Sequence, residues 1–421
     1  MKILLMAQQY APENVSTCVL MTELATDLVK LGHQVTVLTA APNYPYGRVF
    51  PGYRNSLYQE EWMDGVRVVR TWSYISPRKT FWRRIFNYGT FSAMAFFGAL
   101  QAGKPDILII VSPPLPLGVS AVALSRLWRV PLLLHVLDIF PDEAISLGVL
   151  RNRFAIAFFS AVELFLYRNA THISLITEGF RKNLQAKGVS TEKTTVIPVW
   201  ADPDVILPLP KENDFRKKHG LLGKFVVMYA GNIGLTSCTE DVLAGAELLQ
   251  AEQDVRFVIV GEGVKKADLQ ATAQKKGLKN VLFLPFQPRE VFAEMLAAAD
   301  INLVTLNHNS YLTSMPSKTF NIMASARPIL AVTPPDSDVS ELIEEAKCGI
   351  NVPPEQPQML AEAILKMKQQ PDQLTRMGKN GRSQLESRFS RSHCIEEHEH
   401  MLLTLYQDKY LGREKLGSVN S

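Results

Sequence analysis

The sequence predicts an α/β protein made of two doubly wound domains facing across a cleft. Three observations carry this. The chain has 421 residues, long for one core and suited to two domains of about 200 residues each. Short apolar runs alternate with amphipathic helical segments, the signature of strand-helix-strand units with parallel strands. The alternation stops at 201–214, a stretch rich in proline and aspartate with no apolar period, and then restarts. The division expected is therefore 1–200, a linker over 201–214, a second domain over 215–385 and a closing helix over 386–421 that packs back towards the N-terminal domain.

In the first half, a strand over 3–7 passes through a loop over 8–15 into a helix over 16–31, with Leu20, Leu24, Leu28 and Leu31 at helical spacing, and Gly32 stops it. A strand over 34–38 completes a right-handed crossover. Loops after such strands are where open α/β sheets hold ligands, which makes the loop containing Asn14 a candidate site edge. The plainer reading makes Ser16 or Thr17 a helix N-cap. Residues 43–58, rich in Tyr, Pro and Gly, read as a long loop, and 66–72 as a strand. A buried strand over 106–111, a helix over 117–128 and a strand over 131–136 follow, the last delivering His135 and Asp138 to its carboxyl end. A core histidine is the competing reading of His135. A helix over 155–168, a strand over 172–177 and a helix over 178–187 complete this half.

The second half opens with a strand over 225–229 and the turn Gly231-Asn232-Ile233-Gly234, then a helix over 240–250 and a strand over 255–260 ended by Gly261-Glu262-Gly263, glycines that let a ligand approach the backbone. Helices over 265–276 and 288–299 alternate with strands over 281–284 and 301–305. The stretch over 311–332 then combines the hydroxyls of Thr313, Ser314, Ser317 and Thr319 with Lys318 at the start of a helix over 317–325 and an apolar run over 328–332. Free amides, the positive end of the helix dipole and one ammonium suit a phosphate. A short edge strand over 348–352 and helices over 358–368 and 392–410 close the chain.

Hydrophobic residues at 47% and charged residues at 20% mark a globular chain, and 45 basic against 41 acidic residues are too balanced for a nucleic-acid binder. The four cysteines lack metal or disulfide spacing, and the apolar start is too short for a signal peptide, so a cytoplasmic, reducing setting is expected. No apolar run is long enough to span a bilayer. Arg78, Lys79, Arg83 and Arg84 interleave with Phe81 and Trp82 before an apolar helix over 85–100, the pattern of a peripheral membrane contact; a buried helix with a snorkelling rim is the alternative. Asp202-Pro203-Asp204 and Asp336-Ser337-Asp338 spell D-x-D, but one falls in the linker and the other in a proline-rich loop. His393, Cys394, His398 and His400 lack zinc spacing and read as a solvated or interdomain helix face. No metal and no cofactor is expected, and the fingerprints of ATP hydrolysis and dinucleotide binding are absent.

Gly32-His33-Gln34-Val35-Thr36-Val37-Leu38, Gly231-Asn232-Ile233-Gly234, Val260-Gly261-Glu262-Gly263, Ala299-Asp300-Ile301-Asn302-Leu303-Val304 and Pro316-Ser317-Lys318 through Arg327-Pro328-Ile329 together resemble the retaining glycosyltransferase family 4, in its order and spacing. The subgroup is similar to bacterial colanic acid and fucosamine transferases of surface-polysaccharide assembly. The resemblance implies the GT-B fold and transfer of a sugar from a nucleotide-sugar donor to a lipid-linked glycan, on the inner face of the plasma membrane. It places Gly231 to Gly234 and Ser317 at the diphosphate, Gly261 and Gly263 at the nucleoside, Phe286 and Gln287 at the base, His135 at the donor sugar and Asn14 near phosphates and acceptor. The family's paired glutamates are replaced by Thr313 and Asn321, and its Arg and Lys after the first turn by Asn232 and Ser237, which leaves Lys318 as the evident cation for the departing diphosphate. A GT-B nucleotide-sugar epimerase and a non-catalytic GT-B scaffold are the alternatives.

Overall fold

The computed structural model describes residues 1–78 and 80–417, the side chains of Phe81 and 411–417 excepted. Two compact units emerge: Met1–Pro198 with the chain from Ile395 onward, and Val199–Cys394.

Unit 1 runs β1 (Lys2–Met6), α1 (Ser16–Lys30), β2 (Gln34–Ala40), β3 (Tyr58–Met63), β4 (Val66–Thr71), α2 (Phe81–Ala102), β5 (Ile107–Ser112), α3 (Leu115–Trp128), β6 (Leu132–Val136), α4 (Asp142–Ser146), α5 (Arg153–Asn169), β7 (His172–Leu175), α6 (Glu178–Ala186) and β8 (Thr194–Val196). Its sheet has the order β3-β4-β2-β1-β5-β6-β7-β8. β5 and β6 are buried along their whole length, as strands covered on both faces must be, so they read as unbroken apolar runs. Chain direction across the sheet reverses between β1 and β5, and right-handed crossovers put α2, α3 and α5 on one face and α1 on the other.

The structure adds to or corrects the sequence reading at three points here. β3 overlaps the expected loop over 43–58 only at Tyr58, and its other residues carry no expectation; it is an antiparallel edge strand on β4. Glu60 and Glu61 hid it, because they look like loop residues, yet Glu60 lies 2.8 Å from Arg67 and Glu61 2.5 Å from Arg70 across the ladder. The N-cap of α1 is Val15, with no side-chain cap; Ser16 is already helical. His398 is not solvated: it is buried in unit 1 with its ring 5.4 Å from that of His135, which fits the interdomain alternative in the division expected from the sequence, whereas His400 is exposed.

Unit 2 runs α7 (Asp214–Lys218), β9 (Phe225–Ala230), α8 (Thr239–Leu248), β10 (Val255–Val260), α9 (Lys266–Lys275), β11 (Val281–Leu284), α10 (Phe292–Ala297), β12 (Ile301–Thr305), α11 (Lys318–Ala324), β13 (Ile329–Val332), α12 (Asp338–Ala346), β14 (Gly349–Val352), α13 (Pro357–Lys368) and α14 (Pro371–Gln384); α15 (Arg391–Gly417) follows. Its sheet is parallel throughout the described strands, in the order β11-β10-β9-β12-β13-β14, over a core that includes Tyr229, Phe257, Ile259, Leu303 and Leu360. α14 escaped the sequence reading because Gly378 and Gly381 resemble breaks. They are contact surfaces: a Cβ at Gly378 would sit 2.1 Å from the Ala326 carbonyl oxygen.

The Ala299-Asp300 piece of the family pattern proves structural. Asp300 accepts from Arg216 at 2.6 Å, Lys211 at 2.6 Å and the Val226 amide at 2.8 Å, at the amino end of β12, and the Arg216 side chain has no exposed surface.

Candidate functional site

In unit 2 the strand order turns between β9 and β12: β10 and β11 are added on one side, β12 to β14 on the other. The loops that leave the carboxyl ends of β9 and β12 therefore flank a topological switch point, where open α/β sheets bind ligands. The first loop is Gly231-Asn232-Ile233-Gly234 and the second ends at Lys318. The structure brings them together: a Cβ built on Gly231 would stand 2.7 Å from Lys318 Nζ. Beneath both lies Tyr229, nearly inaccessible, with Lys318 Nζ 3.8 Å from its ring centroid and its hydroxyl donating to the Asn232 carbonyl at 2.7 Å. One aromatic side chain thus holds an ammonium on its face and a turn by its edge. No signal in the sequence separates Tyr229 from other apolar strand residues.

Gly261 and Gly263 sit against the same turn. A Cβ on Gly261 would lie 1.8 Å from the Gly231 carbonyl oxygen, and one on Gly263 2.2 Å from that of Ile233. The close approach these glycines allow is that of the Gly231–Ile233 backbone, laced by Gly231 N–H to Val260 O at 2.9 Å and Ile233 N–H to Glu262 O at 2.8 Å. On the side a Cβ would occupy, the neighbouring loop therefore accounts for both glycines.

α11 starts one residue later than expected, and its N-cap Ser317 makes no side-chain cap bond. The Thr319, Phe320 and Asn321 amides donate to the Pro316 and Ser317 carbonyls, which leaves fewer free donors there than expected. Thr313 is buried with its hydroxyl on the Ser310 carbonyl, and Asn321 is half-buried. After β11, Phe286 is exposed and Gln287 donates to the Pro285 carbonyl. Two lysines that the sequence reading passed over also border the turns. Lys266 donates to Gly261 O at 2.8 Å and pairs with Glu262; Lys265 donates to Ser237 O at 3.3 Å and pairs with Glu240 at 2.8 Å.

Unit 1 gathers ionisable groups at the corresponding edge. Glu13, buried, accepts the Asn43 and Tyr44 amides at 2.6 Å each, and buried Arg70 donates to the Ala11 carbonyl at 2.6 Å; between them they pin the loop that presents exposed Asn14. Desolvation holds the Glu13 carboxyl above the usual carboxylate range, against the pull of those amides. Past β6, burial and then the neighbouring Glu143 push the Asp138 carboxyl well up, and Glu143 is itself raised by burial, with Arg84 acting the other way. His135 does not join this group. It is 2% exposed, neither ring nitrogen has a partner, and desolvation followed by His398 lowers it to about 3, so it is a neutral imidazole. Of the residues expected at a membrane, Lys79 and the Phe81 side chain lie outside the described residues; Arg78 and Trp82 are exposed, Arg83 donates to Ser76 and Arg84 to Tyr88.

Among the described residues no group of three or more His, Cys, Asp or Glu side chains is placed to hold a metal ion. Asp202 instead pairs with Arg391 at 3.1 Å, and Asp336 accepts from the Tyr311 hydroxyl at 2.9 Å.

Comparison with known proteins agrees with this architecture. The profile of the glycosyl transferase 4-like domain matches residues 19–200, and that of the glycosyl transferases group 1 matches residues 211–384. A relative in Escherichia coli strain K12, carrying the name colanic acid biosynthesis glycosyl transferase WcaI, is 30% identical over 339 residues, 77% of this chain and 81% of that protein. A GDP-mannose-dependent alpha-mannosyltransferase of Mycobacterium tuberculosis is 25% identical over 359 residues, 84% of each chain. Among solved structures, Anabaena Alr3699/HepE in complex with UDP-glucose superposes with a TM-score of 0.73 at 17% identity, covering 96% of this chain and 100% of that one. The chain is a glycosyltransferase of GT-B fold and belongs to the group 1, family 4-like glycosyltransferases.

Proposed function

We propose that this enzyme transfers a sugar from a nucleotide-sugar donor to a lipid-linked glycan in surface-polysaccharide assembly, with retention of anomeric configuration, as a peripheral protein on the inner face of the plasma membrane. The observation that carries the donor reading is the position of Lys318 Nζ against Gly231 and over Tyr229, at the switch point of the unit 2 sheet. An ammonium at that edge neutralises a departing diphosphate, the main electrostatic demand of the reaction. Colanic acid in the name of one relative, GDP-mannose in that of another and UDP-glucose in a structural neighbour support the substrate class.

In this reading the acceptor oxygen bonds to the anomeric carbon as the carbon–phosphate-oxygen bond breaks, and a donor phosphate oxygen takes the acceptor proton, so no protein base is required. Gly231 to Gly234 and Ser317 face the diphosphate, Gly261 and Gly263 the nucleoside, and Phe286 and Gln287 the base. Thr313 and Asn321 line the donor side in place of the family carboxylates. In unit 1, Asn14 and Asp138 serve the donor, and neutral His135 orients its sugar.

A thermal-shift panel with UDP, GDP, ADP and NAD, on wild type and Lys318→Ala, tests the donor site. One diphosphate nucleotide should raise the apparent melting temperature, and the shift should shrink in the variant. No shift with any of them at millimolar concentration overturns the reading.

A further inference from the structure

The helix layer formed by α2, α3 and α5 does not look like the outside of a water-exposed domain. On α2, Trp82, Phe86 and Phe97 face outward, and on α5 Phe154, Phe158 and Phe165; Trp82 and Phe154 are each 76% exposed and Phe158 62%. α3, packed between them, adds exposed Leu127. The outward stripe of a surface helix is ordinarily polar. A scatter of single apolar residues would need no comment; two helices with apolar outer stripes, flanking a third that exposes Val119 and Leu127, do.

Charge decides what covers this face. α2, α3 and α5 together contain one carboxylate, Glu163, and it is buried and bonded to Tyr167 and Lys187. The cations stand at the helix ends. Arg78, Arg84, Arg151 and Arg153 lie at the end where the helices begin, and Lys104, Arg126 and Arg168 where they finish, all of them exposed. All three helices leave the same edge of the sheet, so their beginnings lie at one side of the layer. An apolar field rimmed by cations and empty of acids complements an anionic lipid surface. A second copy of the same face would oppose cation to cation. Among the described residues no helix is long and apolar enough to cross a membrane, and these three lie side by side.

We infer that the α2–α3–α5 layer is a lipid-facing surface, seated on anionic headgroups through its cationic rim and inserting the aromatic side chains of α2 and α5. The inference rests on the membrane contact proposed for 78–84 and extends it to residues far from that segment.

The test is flotation of the full-length enzyme with phosphatidylcholine vesicles and with mixed phosphatidylcholine–phosphatidylglycerol vesicles, alongside nucleotide thermal shifts on the same preparations. Wild type should float with the mixed vesicles and much less with phosphatidylcholine alone. The double variant Phe97→Ser/Phe158→Ser should lose about tenfold in partition, and Arg151→Glu/Arg153→Glu should lose the preference for anionic lipid, both with unchanged nucleotide shifts. Undiminished flotation of both variants, with loss confined to Trp82→Ser, restricts contact to the start of α2 and overturns the inference. Absence of flotation overturns it too, as does a wild-type dimer that the phenylalanine variant dissociates. Loss of the nucleotide shift with flotation intact counts instead against the donor site.

Discussion

The two units share a plan and differ in what stands at the carboxyl edge of the sheet. In unit 2 the desolvated ions, Arg216 and Asp300, are paired at the amino end of β12, and the carboxyl edge is left to glycine backbone, Tyr229 and one ammonium. In unit 1 the carboxyls that desolvation raises at the carboxyl edge are Glu13, which is buried, and half-buried Asp138 and Glu143, and His135 is buried beside them in sequence without a partner for either nitrogen. A buried pair far from the ligand edge is costly to break, whereas carboxyls raised by desolvation at that edge mark a candidate site. The outer helices differ in the same spirit. Unit 2 carries Asp, Glu and Lys on α9, α12 and α14, while unit 1 carries exposed aromatics.

The contrast is most exposed to disproof at Asp300. Asp300→Ala takes from the fully buried Arg216 guanidinium its buried carboxylate, leaving it Glu212 and backbone carbonyls, and should cost about 3–5 kcal/mol of unfolding free energy in urea titration. A loss near zero would mean that the pair is not the anchor of unit 2.

His135 gives the next effect, visible in the acid limb. The folded state holds it neutral down to about pH 3, whereas the unfolded chain protonates it below about 6.5. The unfolded state therefore binds the extra proton, and stability falls as pH drops through that window, by about 1.4 kcal/mol per pH unit for this group. His135→Phe should flatten the dependence of the melting temperature on pH between those limits; an unchanged slope would assign the acid sensitivity elsewhere.

Tyr229→Phe should have the smallest effect. It keeps the ring under Lys318 and removes the donor to Asn232 O, a loss of about 1 kcal/mol. Tyr229→Leu removes the ring as well, and should further weaken the nucleotide-induced shift. Equal behaviour of the two variants would deny the ring any part in holding Lys318.

The strand-helix alternation was legible because apolar runs buried on both faces and amphipathic helices leave periodic patterns. Strands β10, β11 and β12 fall where the sequence reading puts them. Failures came where a local signal had a second use. Glutamates on β3 serve cross-strand arginines, and glycines in α14 serve close packing against the Ala326 backbone. Lys318 was singled out by its motif, yet Tyr229 carries no motif, because its role depends on a neighbour 89 positions away (318 minus 229).

Taken alone, the sequence determined the alternating α/β plan, the restart after 201–214 and the glycine and lysine positions, since each depends on neighbours in the chain. Tertiary structure alone decided that Gly261 and Gly263 accommodate the Gly231–Ile233 backbone, that His135 meets His398, and that the aromatics of α2 and α5 share a layer. Each of those facts is a contact between segments distant in sequence, and no local pattern records which of two chemically equivalent surfaces the chain will cover and which it will leave exposed.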